Sequence, residues 1–165
     1  MAKKTELDRY DLKILSELKQ EGRMTKVKLA DAVGLSDTPC SQRQKKLEDK
    51  GFIKSYHAQI DYDRLADINY FIVEFAFIDF FPTERTRFLN TILSMPEVIE
   101  IKAVLGEVDY FLTFAAKSVQ HYQSLIEALQ AKQFIFEYTS HAVSKTVKNE
   151  FDVKLLDLLS VLKTD

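Results

Sequence analysis

Apolar residues recur at helical spacing through the first third of the chain and at strand spacing through much of the rest. Leu7, Leu12, Ile14, Leu15 and Leu18 share one side of a helix that closes near Gly22. Leu29, Ala30 and Val33 form a second, shorter stripe. Gly34 ends it, since a residue without Cβ takes the left-handed C-terminal cap readily. Leu35 follows as an apolar plug. Ser36 is a candidate cap for a third helix, and Pro39 falls in that helix's first turn, where its missing N–H is harmless. Cys40 and Leu47, seven residues apart, face inward together and leave Asp37, Thr38, Ser41, Gln42, Lys45 and Lys46 outward. Gly51-Phe52-Ile53 then leads into an alternating run over residues 56–60, the pattern of a wing strand. A helix pair with a glycine turn and a polar, basic second helix is the plan of a DNA-reading helix-turn-helix. An ordinary helical hairpin with a solvated basic face fits the same spacing.

From Asn69 the period changes from 3.6 to 2. Phe71, Val73, Phe75 and Phe77 fall on one face of a strand, with Tyr70, Ile72, Ala76 and Ile78 on the other. Apolar side chains on both faces predict a strand covered on both sides. A helix opens at Pro82 with Phe88, Leu89, Ile92 and Leu93 inward. Strands follow over residues 98–105 and 109–116, joined by Gly106-Glu107-Val108. Ser118 caps a second helix carrying Val119, Tyr122, Leu125, Ile126 and Leu129, and residues 134–143 form the last strand. Two strand-helix-strand halves in tandem predict an α+β sandwich of ferredoxin-like (βαββαβ) topology. Beyond Lys148, Phe151, Leu155, Leu158, Leu159 and Leu162 mark an amphipathic helix with Asp152 as cap. That helix either packs on its own subunit or joins dimers into larger rings. The predicted organisation is therefore a winged helix-turn-helix over 1–60, a hinge over 61–68, a ferredoxin-like domain over 69–148 and a C-terminal helix over 149–165.

The segments LDRYDLKILSELKQEGR, KLADAVGLSDTPC and RQKKLEDKGFIKSY resemble the N-terminal half of the Lrp/AsnC (leucine-responsive/asparagine-regulator) family of transcription factors, and the resemblance runs to about residue 148. It implies a DNA-binding head on a domain that senses a small molecule, commonly an amino acid, and forms dimers and octamer-like rings. Gln44 stands where the family buries an aliphatic, so either its amide finds a partner or the packing there is looser. The family's Gly-(Asp/Asn)-aromatic-Asp-Tyr turn borders its effector pocket. Here Gly106, Asp109 and Tyr110 match it, while Glu107 and Val108 depart from it. Glu137, Thr139 and His141 fall near further pocket positions. On chemistry alone, the turn's free amides suit a carboxylate and Asp109 suits an ammonium group, although a tight strand connection fits equally.

On the helix from Asp37 to Lys50, Thr38, Ser41 and Gln42 are the candidates for base edges, because its first turns approach the bases. Arg43, Lys45, Lys46 and Lys50 are the candidates for phosphates. Charge agrees mildly. Residues 1–60 carry 13 Lys and Arg against 9 Asp and Glu, a balance of +4, within a chain of net charge -2, which leaves -6 for the remainder. With one cysteine and three scattered histidines, no disulfide, thiolate metal cage or HExxH spacing can be drawn. Asp61, Asp63 and Asp67 lack the Gly and distal Glu of a calcium loop. There is no Gly-rich phosphate loop, no apolar run near the ~20 residues of a membrane span, and no leader-like N-terminus. The expectation is a cytoplasmic homo-oligomeric regulator with no enzyme activity, no metal and no cofactor. Its partners are double-stranded DNA and an amino-acid-like effector. A ligand-independent architectural DNA-organising protein, or a metabolite-binding protein that leaves DNA alone, are the rival readings.

Overall fold

The computed structural model describes residues 7–78, 82–149 and 153–162. The chain forms two compact units, one from residues 1–60 with 147–165 and the other from 61–146. The C-terminal segment therefore belongs to the first unit.

In the first unit, α1 (Arg9–Gln20) opens on a capping box. Asp8 accepts from the amides of Tyr10 (2.8 Å) and Asp11 (2.9 Å), and the Asp11 carboxylate reaches back to the Asp8 amide (3.3 Å). Thr25 caps α2 (Lys26–Val33), which ends on Gly34 in the left-handed region (φ 76, ψ 40). A Cβ there would cost about 1–2 kcal/mol. Ser36 holds the cap position of α3 (Asp37–Asp49) as expected, but its hydroxyl makes no capping bond. The three helices close over Ile14, Leu18, Leu29, Ala30, Val33, Cys40 and Leu47.

Two expectations for this unit change. Residues 54–60 carry no strand ladder, so the predicted wing strand is not formed. Alternation alone does not make a strand, because its backbone groups need a partner, and among the described residues none pairs with them. The C-terminal helix is shorter than expected, α6 being Leu155–Leu162, and it lies against α1 of its own chain. Lys19 on α1 donates to the Val153 carbonyl (2.5 Å) at the entry to α6. Leu155 and Leu159 are half-buried, whereas Leu156, Leu158 and Val161 are exposed. Phe151, the Asp152 cap and the Leu162 side chain lie outside the described residues.

The second unit is the predicted βαββαβ sandwich. Its elements are β1 (Asn69–Phe77), α4 (Pro82–Leu93), β2 (Val98–Ala103), β3 (Tyr110–Ala116), α5 (Val119–Gln130) and β4 (Phe136–Ala142). The sheet order is β2-β3-β1-β4 with every pair antiparallel. Phe71, Val73 and Phe75 of β1 and Leu112 and Phe114 of β3 are buried under Phe88 and Ile92 of α4 and Tyr122, Ile126 and Leu129 of α5. Aromatic rings dominate this core. Phe71 stacks on Tyr122 at 4.0 Å, and Phe88 meets Phe77 and Phe134 edge-on at 5.0 and 5.4 Å. Among the described residues of this unit, none forms a layer over the other face of the sheet. Ile72 is 40% and Ile78 59% exposed, so the two-sided burial expected of β1 is not supplied by this subunit. Leu93 and Val119, expected inward, are also exposed, each lying at the end of its helix.

The core assignment makes a contrast within α4. Phe88→Ala is expected to destabilise the protein by about 3–5 kcal/mol, and Leu93→Ala by less than about 0.5 kcal/mol, as read by denaturant unfolding. Equal effects would mean that α4 docks on a different face.

Candidate nucleic-acid interface and ligand site

Only two side chains of α3, Cys40 and Leu47, are fully buried, which turns most of the helix to solvent. Thr38, Gln42, Lys45, Lys46 and Lys50 are exposed, and Ser41 is half-buried. Thr38, Gln42 and Lys45 follow one another at spacings of four and three, so they form one outward stripe. The helix-turn-helix thus offers short hydroxyls, an amide and ammonium groups along one face. These are the groups that read base edges and hold phosphates.

Arg43 leaves that set. Its Nη1 sits 2.6 Å from the Asp8 carboxylate and 2.8 Å from that of Asp11, and its guanidinium lies 5.5 Å from the Tyr10 ring centroid. The Asp11 side chain is 5% exposed, so this is a partly buried ion pair that ties α3 to the start of α1. A hydrogen bond from the Asp11 amide, with help from Arg43, holds the Asp8 carboxyl below its usual value. Helical spacing sets Arg43 three residues after the inward Cys40 and four before Leu47, but could not reveal the two acids it meets there.

Gln44 resolves in favour of a partnered amide. Its Nε2 donates to the Tyr56 hydroxyl (2.8 Å) and to Glu48 Oε1 (3.2 Å), while the Tyr56 hydroxyl donates to the same Glu48 oxygen (2.7 Å). Sequence reasoning missed Glu48 and Tyr56. The four-residue step from Gln44 to Glu48 was the available signal.

In the second unit the turn between β2 and β3 is built around Asp109. Its amide donates to the Phe75 carbonyl (2.8 Å), and its carbonyl accepts from Val104 (3.0 Å). Its carboxylate accepts from the Phe77 amide (2.9 Å) and lies 3.9 Å from Arg85. Tyr110 is buried, with its hydroxyl accepting from Arg85 Nε and the guanidinium 5.0 Å from its ring centroid. Gly106 is exposed at φ 143. Asp109 is therefore braced by protein groups, one carboxylate oxygen on the Phe77 amide and the other facing Arg85.

A cavity of about 500 Å³ opens on the same unit. It is lined by Glu74 and Ala76 of β1, Glu107 and Val108 of the turn, and Phe136, Glu137, Tyr138 and Thr139 of the adjacent β4. Of the expected effector residues, Glu107, Val108, Glu137 and Thr139 come together there, and Gly106, Asp109 and Tyr110 do not line it. His141 stands at the margin, its Nε2 3.3 Å from Oε1 of the cavity-lining Glu74. Glu74 was not anticipated. Cross-strand register brings it opposite Thr139, a pairing that only strand order could supply.

Comparison with known proteins decides the assignment. Residues 7–54 match the winged helix-turn-helix DNA-binding family, and residues 75–153 match the Lrp/AsnC ligand binding domain. The chain belongs to the Lrp/AsnC family. It is 41% identical over 143 residues to transcriptional regulatory protein DoeX of Halomonas elongata, covering 86% of this chain and 90% of that one. Identity to the leucine-responsive regulatory protein of Rhizobium meliloti is 33% over 159 residues, covering 94% and 100%. A transcriptional regulator of Neisseria meningitidis, solved as a complex with L-methionine, superimposes with a TM-score of 0.85 at 29% identity, covering 93% and 100%.

Within this Lrp/AsnC chain, no three or more His, Cys, Asp or Glu residues gather as a metal site, and no helix is long and apolar enough to cross a membrane, among the described residues. The Arg43 bridge has a measurable consequence. Arg43→Met leaves the Asp11 carboxylate buried without its partner, and a loss of about 1–3 kcal/mol is expected once solvent screening of the exposed Asp8 is allowed for. Because the Asp8 carboxyl is lowered in the folded state, its stabilisation is present above the unfolded value of 3.8 and fades as pH falls below it. Unfolding titrations at pH 7 and pH 3 should therefore show a smaller effect of Arg43→Met in acid.

Proposed function

We propose that this protein is a sequence-specific DNA-binding transcriptional regulator that acts as a dimer or higher homo-oligomer. Its grip on DNA is set by a small amino-acid-like molecule held in the sensing unit. The exposed polar stripe of α3 carries this reading. Thr38, Ser41 and Gln42 read base edges in the major groove. Lys45, Lys46 and Lys50 hold phosphates and supply affinity and salt dependence. Two-fold pairing demands a pseudo-palindromic site with half-sites about one helical turn, or a multiple, apart. The open, partly apolar face of the sheet supports pairing of two sensing units, since such a face gains by being covered. The protein acts in the cytoplasm by binding and not by catalysis.

Lys45→Ala is expected to weaken binding to all duplexes alike and to lower the salt slope by about one. Gln42→Ala should mainly lose discrimination, by about 1–3 kcal/mol at the bases it reads. Binding to the DNA upstream of its own coding region and to a scrambled duplex, titrated in salt, separates the two effects. Silence of both substitutions would remove α3 from the interface.

A second reading, a ligand-independent DNA-organising protein, draws support from Asp109, whose carboxylate is already held by the Phe77 amide and Arg85. A panel of free amino acids in thermal denaturation distinguishes them. A true effector at 100 times its Kd stabilises the native assembly by about 2.7 kcal/mol. A panel that leaves the melting point unmoved would favour the organising protein.

A further inference from the structure

We propose that Tyr56 is a positioning residue for DNA reading. It latches the segment that leaves the DNA-binding unit onto the second half of α3, and so fixes how the two recognition helices of a dimer meet paired half-sites. The proposal rests on the dimeric regulator reading above.

The latch has three contacts. The Tyr56 hydroxyl donates to Glu48 Oε1 at 2.7 Å and accepts from Gln44 Nε2 at 2.8 Å. A Cβ added to Gly22 would sit 3.7 Å from Tyr56 Cδ1, so the ring lies beside the turn that follows α1. One side chain thereby joins the exit segment to α3 while resting near the end of α1. Burial first, and then the Glu48 carboxylate, push the phenol above its usual value. It remains a protonated donor throughout the physiological range.

The backbone makes this side chain decisive. Ile53 still donates to the Leu47 carbonyl at 3.3 Å, but among the described residues no backbone bond ties residues 54–60 to the rest of the unit. Without the phenol hydroxyl, the segment beyond Ile53 keeps the ring's place beside Gly22 and loses its hydrogen bonds to α3. The latch leaves the Thr38–Gln42–Lys45 stripe clear and sits further along the stripe that Ser41 begins, one and two turns past it. Gln44 lies two residues past Gln42, about 200° round the helix from it. Tyr56 thus acts on DNA through helix placement and needs no contact with it.

In a dimer the second half-site is engaged at an effective concentration set by the stiffness and geometry of the connection. A slack exit segment lowers that concentration and leaves each head's own affinity alone. The test uses the full-length protein and a duplex it selects from a randomised pool, compared with the same duplex with one half-site scrambled. Tyr56→Phe keeps the ring and removes the hydroxyl. It should bind the two-site duplex about tenfold more weakly and the one-site duplex within about twofold, with an unchanged melting temperature. Glu48→Leu should repeat this loss, Glu48→Gln, which keeps an acceptor, should recover much of it, and the double variant Tyr56→Phe/Glu48→Leu should be no worse than either single. Unchanged two-site binding by Tyr56→Phe overturns the proposal. Equal losses on both duplexes overturn it too, because they make Tyr56 a residue of general stability. If the wild-type protein gains nothing from the second half-site, the dimeric reading fails and the latch fails with it.

Discussion

A helix that buries only Cys40 and Leu47 in thirteen residues cannot be aimed by apolar contact alone. Two anchors along one stripe keep α3 on the core but leave it free to roll and to swing at its ends. Polar ties supply the missing constraints. Arg43 bridges to the capping box of α1, and Gln44 with Glu48 takes hold of Tyr56. The bonds are short, and most are charge-assisted, which gives them direction as well as strength. The outward stripe from Thr38 to Lys45 stays clear of both ties, since Arg43 and Gln44 turn toward protein groups.

The sensing unit solves a different problem. Its four antiparallel strands bury one face under α4 and α5 with a dense set of aromatic rings. The other face carries apolar and charged residues side by side, with Ile72 near the His141–Glu74 pair. Such a surface suits a partner that covers it without becoming a continuous core. The cavity opens along β1 and β4, while Asp109 and Arg85 brace the adjoining turn. A rigid turn beside an open, acid-lined cavity separates the parts that hold shape from the parts available to a ligand.

The two units are joined by the chain at two points, near residues 60 and 147, because the C-terminal segment returns to the DNA-binding unit. A change in the sensing unit therefore has two covalent routes to the head. One enters beside Tyr56 and α3, and the other ends in α6 against α1.

Much was legible in the sequence, because helix caps, glycine turns and hydrophobic period are local. The stripe of Leu29, Ala30 and Val33 ending on Gly34, the inward pair Cys40 and Leu47, and the strand-helix-strand halves all follow from spacing within a few turns of chain. Family motifs extended that reading to DNA and effector. What only the tertiary structure decided involves partners far apart in sequence. Arg43 was given to phosphate until Asp8 and Asp11 appeared across the core, 35 and 32 residues away. Asp109, a candidate for a ligand ammonium by its chemistry, also accepts from the Phe77 amide across 32 residues. The strand expected over residues 56–60 has the right alternation and, among the described residues, no neighbour to pair with. Periodicity fixes which way a side chain points. Which group it meets there depends on the fold.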